Sequence, residues 1–224
     1  MQELTKRRRW MLCFIYFFLY LFGYQFIASS FIVQAIGLQS FLNLDMFVSI
    51  AMILIVLGIS FPYLKEQWKQ FRRNKKIVSP VLMTVFSLYV AAILCTLFIV
   101  IPFQLSTSEN QMNNELLFQY QPFNFVISAL LLAPIVEEVI FRGCIFQPIS
   151  KKSMWLGAFV SGFVFGLLHV VASLESASWM NLLYIVQYGL SGFILSIAYG
   201  STNTIFTSIF AHALFNFMSL LSLL

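Results

Sequence analysis

The chain has 224 residues, of which 60% are hydrophobic and only 9% charged, with 26 phenylalanines and a formal net charge of +5. A soluble domain of this composition would lack the polar side chains needed to cover its apolar surface, whereas a bilayer requires no such cover, so a water-soluble globular protein is excluded. The positive charge does not point to nucleic acid either, because the basic residues lie at the ends of apolar stretches, where membrane topology places them.

The predicted fold class is all-α: a polytopic transmembrane helical bundle of about seven spans, with the candidate functional site inside the bundle. Lys6, Arg7, Arg8 and Arg9 precede span 1, which runs from about Trp10 to Val33. Its apolar stretch is longer than the 7 to 15 residues of a signal-peptide core, which argues against cleavage near Ala28. A short turn holding Gly37 and Asp45 leads to span 2, about Met46 to Leu64, and then to a basic loop from Lys65 to Lys76. Trp68 and Phe71 would also suit that loop to an anionic leaflet, although a topology signal explains it more simply.

Span 3 covers about Val78 to Phe103. The longest polar loop, Gln104 to Gln121, follows it, with Glu109 and Glu115 as its only charges. Span 4 runs from about Phe123 to Phe146 and ends at Lys151 and Lys152. Span 5 covers about Met154 to Val171 and is followed by a turn with Glu175 and Trp179. Span 6 runs from Met180 to Tyr199, and span 7 from Thr204 to the C-terminus. The basic clusters predict a multi-pass cell-membrane protein of bacterial type with its N-terminus in the cytoplasm, and seven spans would put the C-terminus outside. Two regions are expected: N-terminal transmembrane helices over 1–122 with the basic loop 65–76, and a core over 123–224 to which the resemblance described below assigns catalysis. Cys13, Cys95 and Cys144 stand singly in apolar spans, with neither metal nor disulfide spacing, and read as core residues.

Ionisable residues inside the spans are candidates for function, because each costs roughly 2.5 to 3.5 kcal/mol to insert. Glu137 and Glu138 are adjacent in span 4, and Arg142 is spaced i, i+4 from Glu138 to pair with it along one helical face. The only two histidines are His169 in span 5, four residues after Phe165, and His212 in span 7, four residues before Asn216. Measured from the basic ends at about 1.5 Å per residue, Glu137 lies roughly 18 Å deep, His169 roughly 22 Å, His212 roughly 12 Å and Asn216 roughly 18 Å. Helix tilt covers that spread, so one site built from spans 4, 5 and 7 is feasible. Pro134, one turn before Glu137, removes a helix hydrogen bond and should kink span 4 or admit water.

Glu137-Glu138-x-x-x-Arg142, Phe165-x-x-x-His169 and His212-x-x-x-Asn216, in that order on three helices, resemble the CPBP family of intramembrane endopeptidases. That family includes the type II CAAX prenyl endopeptidases and Abi-like bacterial proteins linked to bacteriocin processing and immunity. The resemblance covers about Phe123 to Leu224. It implies a CAAX prenyl protease 2-like enzyme in which Glu137, helped by His169, activates a water. His212 and Asn216 would donate hydrogen bonds to the oxyanion, Glu138 and Arg142 would support the site, and Phe165 would pack its wall. It also implies a mechanism with no cofactor. A zinc alternative would take Glu137, His169 and His212 as ligands with Glu138 as base.

Two non-proteolytic readings stand beside these: a membrane immunity or scaffold protein in which the same residues form a buried clasp, and a proton relay in a transporter. A relay would spread polar residues along a path through the membrane, whereas here they gather in one layer. The expected partners are the bilayer and a peptide or membrane-protein substrate, with no nucleic acid; the sequence identifies neither the substrate nor the oligomeric state.

Overall fold

The computed structural model describes residues 3–74, 77–171 and 179–221, and among these there are helices and no strand. Each apolar stretch of the sequence is helical. Helix α1 spans residues 6–36, α2 Leu38–Arg73, α3 Val78–Val100, α4 Glu109–Tyr120, α5 Pro122–Ser150, α6 Met154–Val170, α7 Tyr184–Thr202 and α8 Ile205–Leu220. Four helical stretches are long and apolar enough to cross a membrane by length and composition: α2, α3, α5, and α7 with the turn leading into it. The apolar helices α6 and α8 are shorter. The chain is a membrane-embedded all-α bundle.

Three expectations about the connections are corrected. Gly37 alone breaks α1 from α2, using a φ of +79° that glycine adopts without a Cβ clash, while Asp45 lies inside α2 and accepts a hydrogen bond from Gln25 Nε2 at 2.9 Å. The basic stretch from Lys65 to Arg73 is the last part of α2, not a loop. It stays helical because it has something to cover: the Trp68 ring sits 4.9 Å from Phe206, and buried Gln67 accepts the Ile205 N–H at 2.9 Å, capping the start of α8. Lys75 and Lys76 lie outside the described residues, as does Glu175 of the turn between spans 5 and 6; Trp179 begins a short 3₁₀ turn, Trp179–Leu183.

The third correction concerns the polar stretch 104–121, most of which forms helix α4. Ser108 caps it by accepting the Gln111 N–H, and Glu109 places a carboxylate in its first turn, where the helix dipole favours it. Ser108-Glu-Asn-Gln111 has the spacing of a capping box, a helix-start signal present in the sequence.

α5 lies at the centre. Its buried Val139, Ile140, Phe141 and Phe146 pack in one hydrophobic cluster with Leu12 and Tyr16 of α1, Tyr63 of α2, Phe165 of α6 and Tyr199 of α7. Cys13 and Cys144 meet within this core, thiol to thiol, across α1 and α5. The basic groups gather at one end of the bundle, where Lys151 bonds Glu3 at 2.6 Å and the end of α2 caps α8. The opposite end holds α4, tied to α2 by Gln121 to Asn43 at 2.9 Å and to α7 by Tyr184 to the Ser106 carbonyl at 2.7 Å.

α6 and α7 touch backbone to backbone. A Cβ at Gly166 would lie 2.6 Å from the Ile185 carbonyl oxygen, and one at Gly162 would lie 2.5 Å from that of Gly189. Gly162-x-x-x-Gly166 is a small-residue spacing of the kind that brings membrane helices close. Gly166→Leu is therefore expected to cost more than the 1–3 kcal/mol of ordinary overpacking, because backbone cannot rotate away. Gly58→Ala, where nothing lies within 4 Å, should be tolerated. Melting of both variants in detergent checks this.

Candidate active site

The ladder of α5 is irregular on both sides of the paired glutamates. Residues Ser128–Leu132 and Val139–Phe146 wind with the wider i to i+5 spacing, a feature often found at functional sites. In the first of these segments Ala133 N–H bonds back to the Ser128 carbonyl. The next amide in register would be that of residue 134, which is proline and has none. The Ala129 carbonyl it would have satisfied accepts instead from Asn216 Nδ2 of α8 at 2.9 Å. Pro134 thus alters the winding and opens a docking point for Asn216, a more specific outcome than the expected kink.

Glu138 and Arg142 form the anticipated pair, Nε to Oε2 at 3.0 Å, with both side chains fully buried. The pair does more than hold one helix in register. Glu138 Oε1 accepts from His212 Nδ1 at 2.9 Å, tying α5 to α8, and Arg142 Nη2 donates to the Gly192 carbonyl at 3.0 Å, tying α5 to α7. The guanidinium carbon also lies 5.0 Å from the centre of the Phe165 ring, within cation–π range.

Glu137 stays outside this chain of bonds. Its carboxylate is 18% exposed, with Oε2 3.9 Å from His212 Nε2, and that oxygen is buried without a hydrogen-bond partner. It lies between two cavities. The larger, of about 480 Å³, is also lined by Phe165, His169, His212 and Asn216; the smaller, of about 70 Å³, lies toward Tyr16 and Tyr20. Either holds more than the roughly 10–15 Å³ a water needs.

His169 is held on both faces. Its ring centre lies 4.2 Å from that of Phe165 and 4.9 Å from that of Tyr188, and Nδ1 lies 2.8 Å from the Phe165 carbonyl oxygen. A carbonyl only accepts, so Nδ1 carries the hydrogen and Nε2 is left as the acceptor. By the same logic His212 donates from Nδ1 to Glu138; its Nε2 accepts in the neutral ring and donates when the ring is doubly protonated.

All seven residues singled out in the sequence therefore meet in one region. Tyr188 and Gly192 of α7 were missed. The Tyr188 hydroxyl pairs with Ser108 at 2.8 Å and accepts from Asn110 at 3.4 Å, joining α4 to the His169 ring. Gln187 and Tyr188, polar groups within an apolar span, were the available signal. Among the described residues, no three His, Cys, Asp or Glu side chains form a group placed to hold a metal ion.

A family match falls on the same stretch. Residues 119–218 match the family described as type II CAAX prenyl endopeptidase Rce1-like. Over 110 residues, 49% of this chain, the sequence is 29% identical to a Bacillus subtilis protein named "Putative membrane peptidase YdiL", covering 41% of that protein. Over 162 residues, 67% of this chain, it is 28% identical to an uncharacterized protein of Mycoplasma capricolum, covering 46% of it. The match spans less than half the length of either relative. No solved structure matches the chain. The paired glutamates, both histidines and Asn216 all fall within residues 119–218, and it is over this stretch that the chain is similar to the Rce1-like type II CAAX prenyl endopeptidases.

Proposed function

We propose that the protein is an intramembrane endopeptidase that hydrolyses a peptide bond of a membrane-associated protein or peptide with a water activated by Glu137. The observation that carries this reading is the placement of Glu137: a carboxylate oxygen without a hydrogen-bond partner, at a cavity shared with both histidines, beside a second glutamate whose charge is already balanced by Arg142. Two adjacent carboxylates in such different surroundings divide the labour, one fixed and one free to take a proton.

In the proposed reaction Glu137 accepts a proton from the water as its oxygen bonds to the substrate carbonyl carbon, and His169 Nε2 orients that water by accepting its other hydrogen. The carbonyl oxygen becomes an oxyanion, received by His212 Nε2–H in the doubly protonated ring and by the second N–H of Asn216, whose first is held by Ala129. Glu137 then gives its proton to the leaving nitrogen as the C–N bond breaks. No step passes through a metal. The N-terminus and the basic end face the cytoplasm in this reading.

The testing experiment follows cleavage of candidate membrane precursors by mass spectrometry in membranes carrying wild type or His169→Ala, with and without a zinc chelator. Cleavage lost in the variant and kept with chelator supports the reading. Loss on chelation with recovery on adding zinc would overturn the metal-free mechanism, and a phenotype kept by a folded but inactive variant would favour the immunity or scaffold role.

Tyr188 should act by holding the His169 ring. Removing a ring stack worth about 0.5–1.5 kcal/mol predicts a loss of about three- to tenfold in kcat for Tyr188→Ala, with KM less affected. Tyr188→Phe, which keeps the ring, should restore most of it. Steady-state kinetics on both variants checks this.

A further inference from the structure

The smaller cavity adjoins the larger one at Ser49, Ser128 and Glu137, which line both. The rest of its wall includes Tyr16 and Tyr20 of α1, Met52 of α2 and Leu132 of α5, none of which lines the larger cavity. Two wide-wound segments meet there, because Phe14–Ala28 of α1 and Ser128–Leu132 of α5 both follow the i to i+5 spacing. The Tyr16 ring is buried, set edge-on to Phe141 at 6.2 Å and 6.0 Å from the ring of Tyr20. From Tyr20 a polar line continues along α1. Gln25 Nε2 lies 3.4 Å from the Tyr20 hydroxyl and donates to Asp45 of α2 at 2.9 Å, close to Asn43, where α4 docks.

An empty cavity is stable where its lining is apolar, whereas a buried water needs two to four polar partners. Four hydroxyls and a carboxylate on the wall of the smaller cavity provide such partners. Its volume of about 70 Å³ has room for about two to five waters, at roughly 15–30 Å³ each. Hydrolysis consumes one water per peptide bond. The water oxygen forms the new C–O bond, one hydrogen leaves on the amine as the C–N bond breaks, and the other stays with the new acid. A substrate chain lying in the larger cavity covers that side of Glu137 and excludes bulk water from it. The smaller cavity reaches the same carboxylate from the α1 and α2 side.

We infer that the smaller cavity is a water-binding site that keeps a few ordered waters against Glu137 while substrate fills the larger cavity. The reacting water passes from it at Ser49 and Ser128, and the hydroxyls of Tyr16 and Tyr20 are positioning groups that hold the waters. The line through Gln25 and Asp45 refills the site between turnovers. The supply role rests on the endopeptidase reading, but the presence of water is measured without cleavage.

The test exposes the full-length protein in lipid nanodiscs to a short X-ray pulse, which makes hydroxyl radicals wherever water lies, and reads oxygen uptake at each tyrosine by mass spectrometry. Tyr16 should be labelled at least about fivefold faster than Tyr63, which is 1% exposed and lines neither cavity. Met52→Phe and Leu132→Phe push a larger ring into the smaller cavity alone, from α2 and from α5. Each should bring Tyr16 labelling down to the level of Tyr63 and lower kcat about fivefold or more with KM unchanged. Tyr16→Phe keeps the ring packing and should lower kcat about two- to tenfold, as one lost hydrogen bond would. Tyr16 labelled no faster than Tyr63 in wild type overturns the inference whether or not the protein cleaves. Unchanged kcat in filled variants that have lost the labelling overturns the supply role. Fast labelling of Tyr16 with no cleavage by wild type sustains the water site while removing the endopeptidase reading.

Discussion

Glu137→Gln is expected to abolish peptide-bond hydrolysis while leaving the bundle folded. Gln keeps the shape of the side chain but cannot accept a proton from water, and loss of a general base costs typically 10²–10⁴-fold in rate. The fold should hardly register the change, because Glu137 is not part of the buried ionic chain and its nearest charged neighbour in that chain is His212 Nε2, 3.9 Å away. The expected result is product formation reduced by at least a hundredfold, with melting in detergent shifted by only a few degrees. The neighbouring Glu138→Gln should behave differently, weakening the bond from His212 and the pairing of Arg142 together, and so lowering both activity and stability. If Glu137→Gln retained turnover, the base would have to be another group.

Arg142→Met is expected to be among the most destabilising single changes in the protein. The guanidinium is fully buried, paired with Glu138 at 3.0 Å and bonded to the Gly192 carbonyl at 3.0 Å. Removing it leaves a buried carboxylate with no fixed counter-charge except a protonated His212, for which about 3–5 kcal/mol is a reasonable cost. Lysine should not rescue it, since a single ammonium cannot reach Glu138 and Gly192 with the geometry of a planar fork. Adding Glu138→Leu to Arg142→Met removes the stranded charge, so the double variant should lose less than the two single losses combined. Unfolding in detergent, read as a double-mutant cycle, measures that coupling; strictly additive losses would mean that the pair contributes none.

The apolar helices and the ionisable groups of the candidate site were readable in the sequence for the same reason. A bilayer penalises charge so strongly that each apolar run marks a helix, and each ionisable residue within one stands out. Glu137, Glu138, Arg142, His169 and His212 were all visible on those terms. What escaped notice depends on contact between distant segments. The helical state of Lys65–Arg73 follows from Gln67 and Trp68 meeting the start of α8, and local polarity alone suggested a loop. The same bias concealed α4, whose Asn and Gln side chains discourage a helical reading although Ser108 and Gln111 carry a start signal. The tie from Asn216 to Ala129 needs both the missing amide of Pro134 and the wider winding before it, and no residue pattern announces that winding.

The buried ionic chain also has a consequence for how the protein is made. Glu137, Glu138 and Arg142 together add roughly 7 to 11 kcal/mol to the cost of releasing α5 alone into lipid. Two of them can neutralise each other within the helix, but the groups that complete their bonding, Gly192 and His212, emerge from the ribosome about 50 and 70 residues later. During synthesis the central helix must therefore wait, beside the insertion machinery or against α1 and α2, until α7 and α8 have been translated. A chain stopped before α8 would present the quality-control proteases with an unfinished, charged helix, so the residues that organise the mature site also make its biogenesis depend on segments made well after them.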